Sequence, residues 1–81
     1  SAIRLWERAA ANHALYAFEE LAKYYEHTAK DLETARQWTL AGKKVLEEQH
    51  VPAYEFHFWL EKLDHRLNRL VRRLNRQNDN Q

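Results

Sequence analysis

Several residue types that mark particular protein classes are absent from this 81-residue chain, or nearly so. It contains no Cys, which excludes a disulfide framework and thiolate metal sites. It contains one Gly, which excludes a glycine-rich phosphate-binding loop. One Gly and one Pro among many Ala, Leu, Glu, Lys and Arg residues predict a nearly all-helical protein.

The chain also has no long apolar run and few residues suited to catalysis. No stretch approaches the roughly 20 apolar residues of a membrane span, and no signal-peptide pattern is present. We therefore expect a cytoplasmic module without membrane contact. The only Ser is the first residue, and adjacent carboxylates such as Glu19 and Glu20 point in different directions on a helix. We expect no catalytic residue, no cofactor and no enzyme activity in this chain.

The net charge of +1 conceals an uneven distribution. Acidic residues outnumber basic ones over 1–65, whereas 66–78 holds five Arg and no acid. On a helix four of the five form one stripe: Arg66, Arg69, Arg73 and Arg76, with Arg72 beside it. The stripe predicts contact with nucleic-acid phosphates or an acidic protein surface. The alternative is a solvated face whose charge suits the helix C-terminus.

Helical spacing predicts a hairpin of two amphipathic helices over 13–49. Asn12 and Asp31 are the expected N-caps of its two helices. The first helix carries the apolar positions Ala14, Phe18, Leu21, Ala22 and Tyr25. The second carries Leu32, Ala35, Trp38, Thr39, Gly42, Val45 and Leu46. Gly42 lies within a helix, where it costs about 1 kcal/mol relative to Ala, so we expect a neighbouring backbone to pack closely against it. The alternative is a local break of the helix at this position.

A long helix over 52–77 is predicted to follow, starting at Pro52, with a polar and frayed tail at 78–81. Its apolar positions form a heptad seam: Phe56, Leu60, Leu63, Leu67, Leu70 and Leu74. The seam is long enough to cap the hairpin, or to pair with a second copy of the chain. Both arrangements remain open.

Two further sets of side chains are candidates for binding. His57, Glu61 and His65 share one side of the last helix, but the outer two lie about 12 Å apart along its axis, and no fourth ligand is identified. We therefore expect no metal site. Several aromatic residues lie away from the apolar seams: Tyr16, Tyr24, Tyr54 and Phe58. Tyr16 and Tyr24 are the candidate contacts of a peptide groove, although an aromatic stripe at helical spacing is more often core.

The hairpin resembles the tetratricopeptide repeat through Phe18, Leu21, Ala22, Tyr25 and Ala35. The segment 1–11 is similar to the second helix of a preceding repeat, with Ala2, Trp6 and Ala9 in the matching positions. The resemblance implies an all-α, tetratricopeptide-like stack of antiparallel hairpins with a long C-terminal capping helix. It also implies that the chain is a piece of a longer protein. The turn is one residue longer than usual, and Arg36, Thr39 and Gly42 depart from the repeat.

A second resemblance covers most of the chain. The segments AIRLWERAA at 2–10, ELAKYYEH at 20–27, KD at 30–31 and DHRL at 64–67, with Ala35 and Trp38, are similar to the C-terminal repeat region of YprB-like proteins. In that bacterial family a ribonuclease H-like, metal-dependent exonuclease domain precedes helical repeats. The resemblance implies a non-catalytic accessory module that docks a helicase or the upstream nuclease domain. The alternatives are contact with nucleic acid through the Arg stripe and self-association through the leucine seam.

Overall fold

A computed structural model of the chain describes residues 1–79, which form four α-helices and one π-helical turn. The helices are α1 (Ala2–Ala11), α2 (Leu15–Lys23), α3 (Leu32–Glu48) and α4 (Ala53–Asp79), and the π-helical turn (Tyr24–Thr28) continues α2. Each helix packs mainly on the next one in the chain. The prediction of an all-α protein is confirmed. None of the four helices combines the length and apolar character that crossing a membrane requires.

The turn between α1 and α2 differs from the prediction at Asn12. Its side-chain Nδ2 donates to the backbone oxygen of Arg8 at 3.2 Å, so Asn12 closes α1 and does not start α2. His13 follows with a φ of 64°, in the left-handed region, and reverses the chain. The residue before α2 is Ala14, which makes no side-chain cap. The predicted cap by Asn12 is therefore wrong.

The contact between α2 and α3 is apolar and close. Buried Phe18, Leu21 and Ala22 on α2 pack with small residues of α3, where Ala35 and Gly42 are buried. A Cβ placed on Gly42 would lie 2.9 Å from the Cβ of Phe18, closer than real Cβ atoms come. The helix continues unbroken through Gly42. Close packing at Gly42 is confirmed, but the atoms that approach it belong to the side chains of Phe18 and Leu63 and not, as predicted, to a neighbouring backbone.

The end of α2 is wider than an ordinary α-helix. The backbone N–H of Ala29 donates to Tyr24 O at 3.0 Å, five residues earlier, which is the π-helical pattern. Lys30 then adopts a φ of 57°, and the N–H of Asp31 reaches back to Tyr25 O at 2.8 Å. The π-helical turn and the left-handed Lys30 together reverse the chain between α2 and α3.

Asp31 caps α3 as predicted. Its Oδ1 accepts a hydrogen bond from the backbone N–H of Thr34 at 3.1 Å, and its Oδ2 accepts one from the Thr34 hydroxyl at 2.7 Å. These bonds and the favourable carboxylate charge at the helix N-terminus explain why α3 begins at Leu32.

The leucine seam of α4 faces the hairpin. Leu63 and Leu70 are buried, and Leu70 lies in one cluster with Leu32 and Ala35 of α3. The seam therefore packs within the molecule, which is the first of the two arrangements that the sequence left open. The helix begins at Ala53, one residue after the predicted start, and continues through Asp79. The first two residues of the predicted tail, 78 and 79, are thus helical. Its last two residues, 80 and 81, lie outside the described part of the chain.

Candidate functional site

The π-helical turn places a carboxylate inside the protein. Glu26 follows Phe18 and Ala22 at spacings of four, so it continues the buried face of α2. The residue is 1% exposed, and its side chain has no accessible surface. A buried carboxylate in an apolar setting is costly unless charged partners satisfy it.

The partners of Glu26 are three arginines of α4, spaced three and four residues apart. Arg66 donates from Nη1 to Oε1 at 2.6 Å. Arg69 donates from Nε to Oε2 at 2.8 Å and from Nη2 to Oε1 at 2.9 Å, which is a bidentate pair. Arg73 donates from Nη1 to Oε2 at 3.2 Å. We call these four residues the arginine cluster. It ties the C-terminal half of α4 to the π-helical turn that follows α2.

The cluster keeps Glu26 ionised. Burial by itself raises the pKa of this carboxyl, but the hydrogen bonds from Arg69 and Arg66 and their positive charges outweigh burial and lower the pKa from 4.5 to about 2. The carboxylate in turn raises the pKa of Arg69. The Glu26 carboxylate is therefore charged at neutral pH.

The arginine cluster has a surplus of positive charge. One carboxylate faces three guanidinium groups, and only four of their N–H donors bond to it. Each guanidinium has five N–H donors. The Arg66 side chain is mostly buried, whereas those of Arg69 and Arg73 are 31% and 36% exposed. Glu26 thus holds these side chains in place while leaving part of each in contact with solvent.

The predicted Arg stripe therefore divides into two groups. Arg66, Arg69 and Arg73 bond to Glu26, whereas Arg72 and Arg76 are exposed. Among residues 1–79, Arg72 and Arg76 make no ion pair with a carboxylate. Only these two can be replaced without disturbing a buried contact.

Tyr24 and Trp6 line an open groove between α1 and the end of α2. Its volume is about 260 Å³, and we call it the tyrosine groove; its lining residues are Trp6, Glu20, Lys23, Tyr24, His27 and Thr28. The Tyr24 ring lies edge-on against Tyr25, with 5.0 Å between the ring centroids. Trp6 packs against the core formed with α2. Contacts within the protein therefore hold both aromatic rings of the groove.

The second tyrosine of the predicted peptide groove lies elsewhere. Tyr16 is on α2, about 53% exposed, and it is not among the residues that line the tyrosine groove. Tyr24 is half-buried. The structure therefore does not bring Tyr16 and Tyr24 together in one groove.

A third feature is a surface of exposed aromatic side chains near the start of α4. Tyr54 is 74% exposed and Phe58, one turn later, is 54% exposed; with the half-buried Trp59 they line a shallow depression that we call the aromatic face. The Lys62 ammonium lies 5.1 Å from the Phe58 ring centroid and 5.6 Å from that of Trp59. It also lies 3.1 Å from a carboxylate oxygen of Glu19 on α2.

The three candidate metal ligands of α4 are not brought together with one another or with further ligands. His57, Glu61 and His65 are all exposed on the helix surface. Within the part of the chain that the structure describes, no group of three or more His, Asp or Glu side chains is arranged to hold a metal ion.

Sequence reasoning did not single out Glu26, which lies at the centre of the arginine cluster. The signal was present, because Glu26 occupies the i+4 position from Ala22 on an apolar helix face. A carboxylate in such a position requires a cationic partner, and the C-terminal Arg residues are the one cationic excess in the sequence.

Comparisons of the chain with protein-family models, with curated proteins and with solved structures find no match.

Proposed function

We propose that this chain is a non-catalytic helical-repeat module that binds another protein. The observation that carries this proposal is the aromatic face, where Tyr54 and Phe58 expose more than half of their surface one helical turn apart. Exposed apolar side chains gathered in one patch are typical of protein interaction sites, and aromatic residues supply much of the binding energy there. The packing of each helix on the next supports a tetratricopeptide-like arrangement, which belongs to the same proposal.

The resemblance to YprB-like proteins supplies the setting of this proposal. It favours an accessory domain of a bacterial DNA-processing nuclease, located in the cytoplasm. The expected partner is a helicase or the exonuclease domain that precedes the repeats in that family.

The test measures binding of the chain to the purified exonuclease domain of a YprB-like protein by isothermal titration calorimetry. Replacement of both exposed aromatic residues (Tyr54→Ser with Phe58→Ser) is expected to weaken binding at least about tenfold, because two anchors of the contact are lost. The matched control is Tyr16→Ser, which removes an exposed tyrosine from α2. Equal affinities of the two variants for this domain would overturn the proposal. Absence of binding both to this domain and to a helicase would also overturn it.

A second function, contact with nucleic acid, is favoured by the surplus positive charge of the arginine cluster and by the exposed Arg72 and Arg76 beside it on α4. Phosphate contacts release counterions, so binding should weaken steeply as salt increases. Because three of the five arginines hold Glu26, the informative variant is Arg72→Gln with Arg76→Gln. It should keep the melting temperature of the parent and show a smaller salt dependence of DNA binding. Unchanged affinity and salt dependence would exclude these two residues from the contact.

A further inference from the structure

The arginine cluster and the tyrosine groove share an edge at His27. This residue lines the groove, and its Nε2 lies 3.6 Å from Oε1 of Glu26, the oxygen that also accepts hydrogen bonds from Arg66 and Arg69. We infer that the two features together form one binding site for single-stranded nucleic acid, with one base in the groove and adjacent phosphates on the arginines. The inference rests on the second function proposed above and assigns it a ligand and a site.

The tyrosine groove has the properties of a base-stacking site. It presents two aromatic side chains, Trp6 and Tyr24, with polar groups at its border: Thr28 and the pair of Lys23 and Glu20, whose Nζ and Oε1 lie 3.3 Å apart. Stacking of bases on aromatic rings is a principal source of affinity in proteins that bind single strands, and it tolerates any base because every base has a flat face. The edge-on contact with Tyr25 restricts the Tyr24 ring before any ligand arrives, which reduces the entropy lost on binding.

The arginine cluster has the properties of a phosphate-binding site. Arg69 and Arg73 are partly exposed and keep unused N–H donors, and guanidinium groups bind phosphate oxygens in pairs. Glu26 fixes their positions and neutralises one of the three charges. The surplus charge attracts an anion, and the fixed geometry selects where it binds.

The combination favours a single strand over two other anionic ligands. In a duplex the bases are stacked on one another, so a duplex can reach the arginines with its phosphates but cannot place a base in the groove. An acidic peptide can satisfy the arginines through carboxylates and has no general need of an aromatic groove. Only the unpaired strand offers phosphates and free flat rings along its whole length.

The test uses fluorescence anisotropy with three labelled probes: an oligothymidylate, a DNA duplex of the same length and a glutamate-rich peptide of similar charge. Tyr24→Leu removes the ring but keeps an apolar side chain, and Tyr24→Phe keeps the ring. Tyr16→Leu is the matched control, because it removes a tyrosine of α2 that lies outside the groove. The expected results are tighter binding of the single strand than of the duplex and about fivefold to hundredfold weaker single-strand binding by Tyr24→Leu. Tyr24→Phe and Tyr16→Leu should bind it like the parent.

The remaining outcomes separate failure of this inference from failure of the function on which it rests. Equal binding of single strand and duplex, unaffected by Tyr24→Leu but weakened by Arg72→Gln with Arg76→Gln, would overturn the groove and leave the arginine contact. Tighter binding of the acidic peptide would assign the cluster to a protein partner instead. Absence of DNA binding at low salt would overturn both. Circular dichroism melts of each variant exclude unfolding as the cause of lost binding.

Discussion

The contact between α2 and α3 and the contact between the π-helical turn and α4 stabilise the protein in opposite ways. The first is apolar and depends on shape: Phe18 occupies the space that a Cβ on Gly42 would need. The second depends on charge: Glu26 is buried under three guanidinium groups. The first contact should respond to volume and be indifferent to pH, whereas the second should respond to charge and pH. The charged contact also leaves a cationic surface, which the apolar contact cannot do.

The largest expected effect on stability comes from a substitution that breaks the charged contact. Glu26→Gln keeps the shape of the side chain but leaves three clustered arginines without their counter-charge, and should lower the free energy of unfolding by about 3–5 kcal/mol at neutral pH. Urea denaturation followed by circular dichroism measures this change. Glu61→Gln, on the exposed surface of α4, is the matched control and should change stability by less than about 0.5 kcal/mol. A loss below about 1 kcal/mol for Glu26→Gln would show that the cluster does not hold α4.

Acid should weaken the same contact without any mutation. The pKa of Glu26 is about 2 in the folded protein and 4.5 as its ordinary value, so the unfolded chain binds the proton first as pH decreases. The stabilisation is therefore complete above about pH 4.5 and is lost between there and about pH 2, on the order of 3 kcal/mol in total. Asp31 and Glu33 also have lowered pKa values and contribute to the same trend. The difference between the urea midpoints of the parent and of Glu26→Gln, measured across this pH range, isolates the stabilisation due to Glu26. A difference that does not change with pH would contradict this prediction.

A smaller effect tests the apolar contact. Gly42→Ala gains helix propensity worth about 1 kcal/mol, but its Cβ would meet the Cβ and Cγ of Phe18, so the net result should be destabilisation by about 1–2 kcal/mol. The loss should be the same at pH 7 and at pH 4, unlike that of the charged contact. Lys44→Ala, at an exposed position of α3, is the control that gains propensity without the clash. Greater stability of Gly42→Ala would show that α2 and α3 can separate at little cost.

The smallest effect concerns the start of α3, which belongs to neither contact. Asp31→Ala removes the acceptor for the Thr34 N–H, and should lower the melting temperature by about 5 °C. Asp31→Asn preserves a capping oxygen and should melt close to the parent. Equal melting of both variants would mean that the cap is dispensable when α3 is packed on both sides.

The apolar contact could be predicted residue by residue from the sequence, whereas for the charged contact the sequence indicates only that Glu26 needs a cationic partner and that the C-terminal arginines are the cationic excess. Spacings of three and four residues identify the packed faces of α2 and α3, and the cost of a helical glycine identifies Gly42 as a point of close approach. Glu26 occupies the same face, but spacing alone does not tell which distant residue neutralises it. The Arg stripe was recognised as a pattern, yet its division between arginines bonded to Glu26 and exposed arginines depends on how α4 lies on α2.

Local backbone geometry accounts for the remaining differences. The Asn12 side chain can cap either the start of a helix or its end. Because His13 adopts the left-handed conformation that follows a helix C-terminus, Asn12 closes α1. The sequence predicts a short turn after α2, at 28–30. It does not predict that the backbone widens into a π-helix over Tyr24–Thr28 with Glu26 buried inside it.

The most direct test of the central claim is the titration of the Glu26 side chain itself. Carbon-detected NMR of the side-chain carboxyl, assigned by comparison with Glu26→Gln, gives the pKa in the folded protein without reference to stability. A buried carboxylate bonded to three arginines should titrate with a midpoint of about 2. A midpoint near the ordinary 4.5 would contradict the arginine cluster and, with it, the fixed cationic surface from which the nucleic-acid site is inferred.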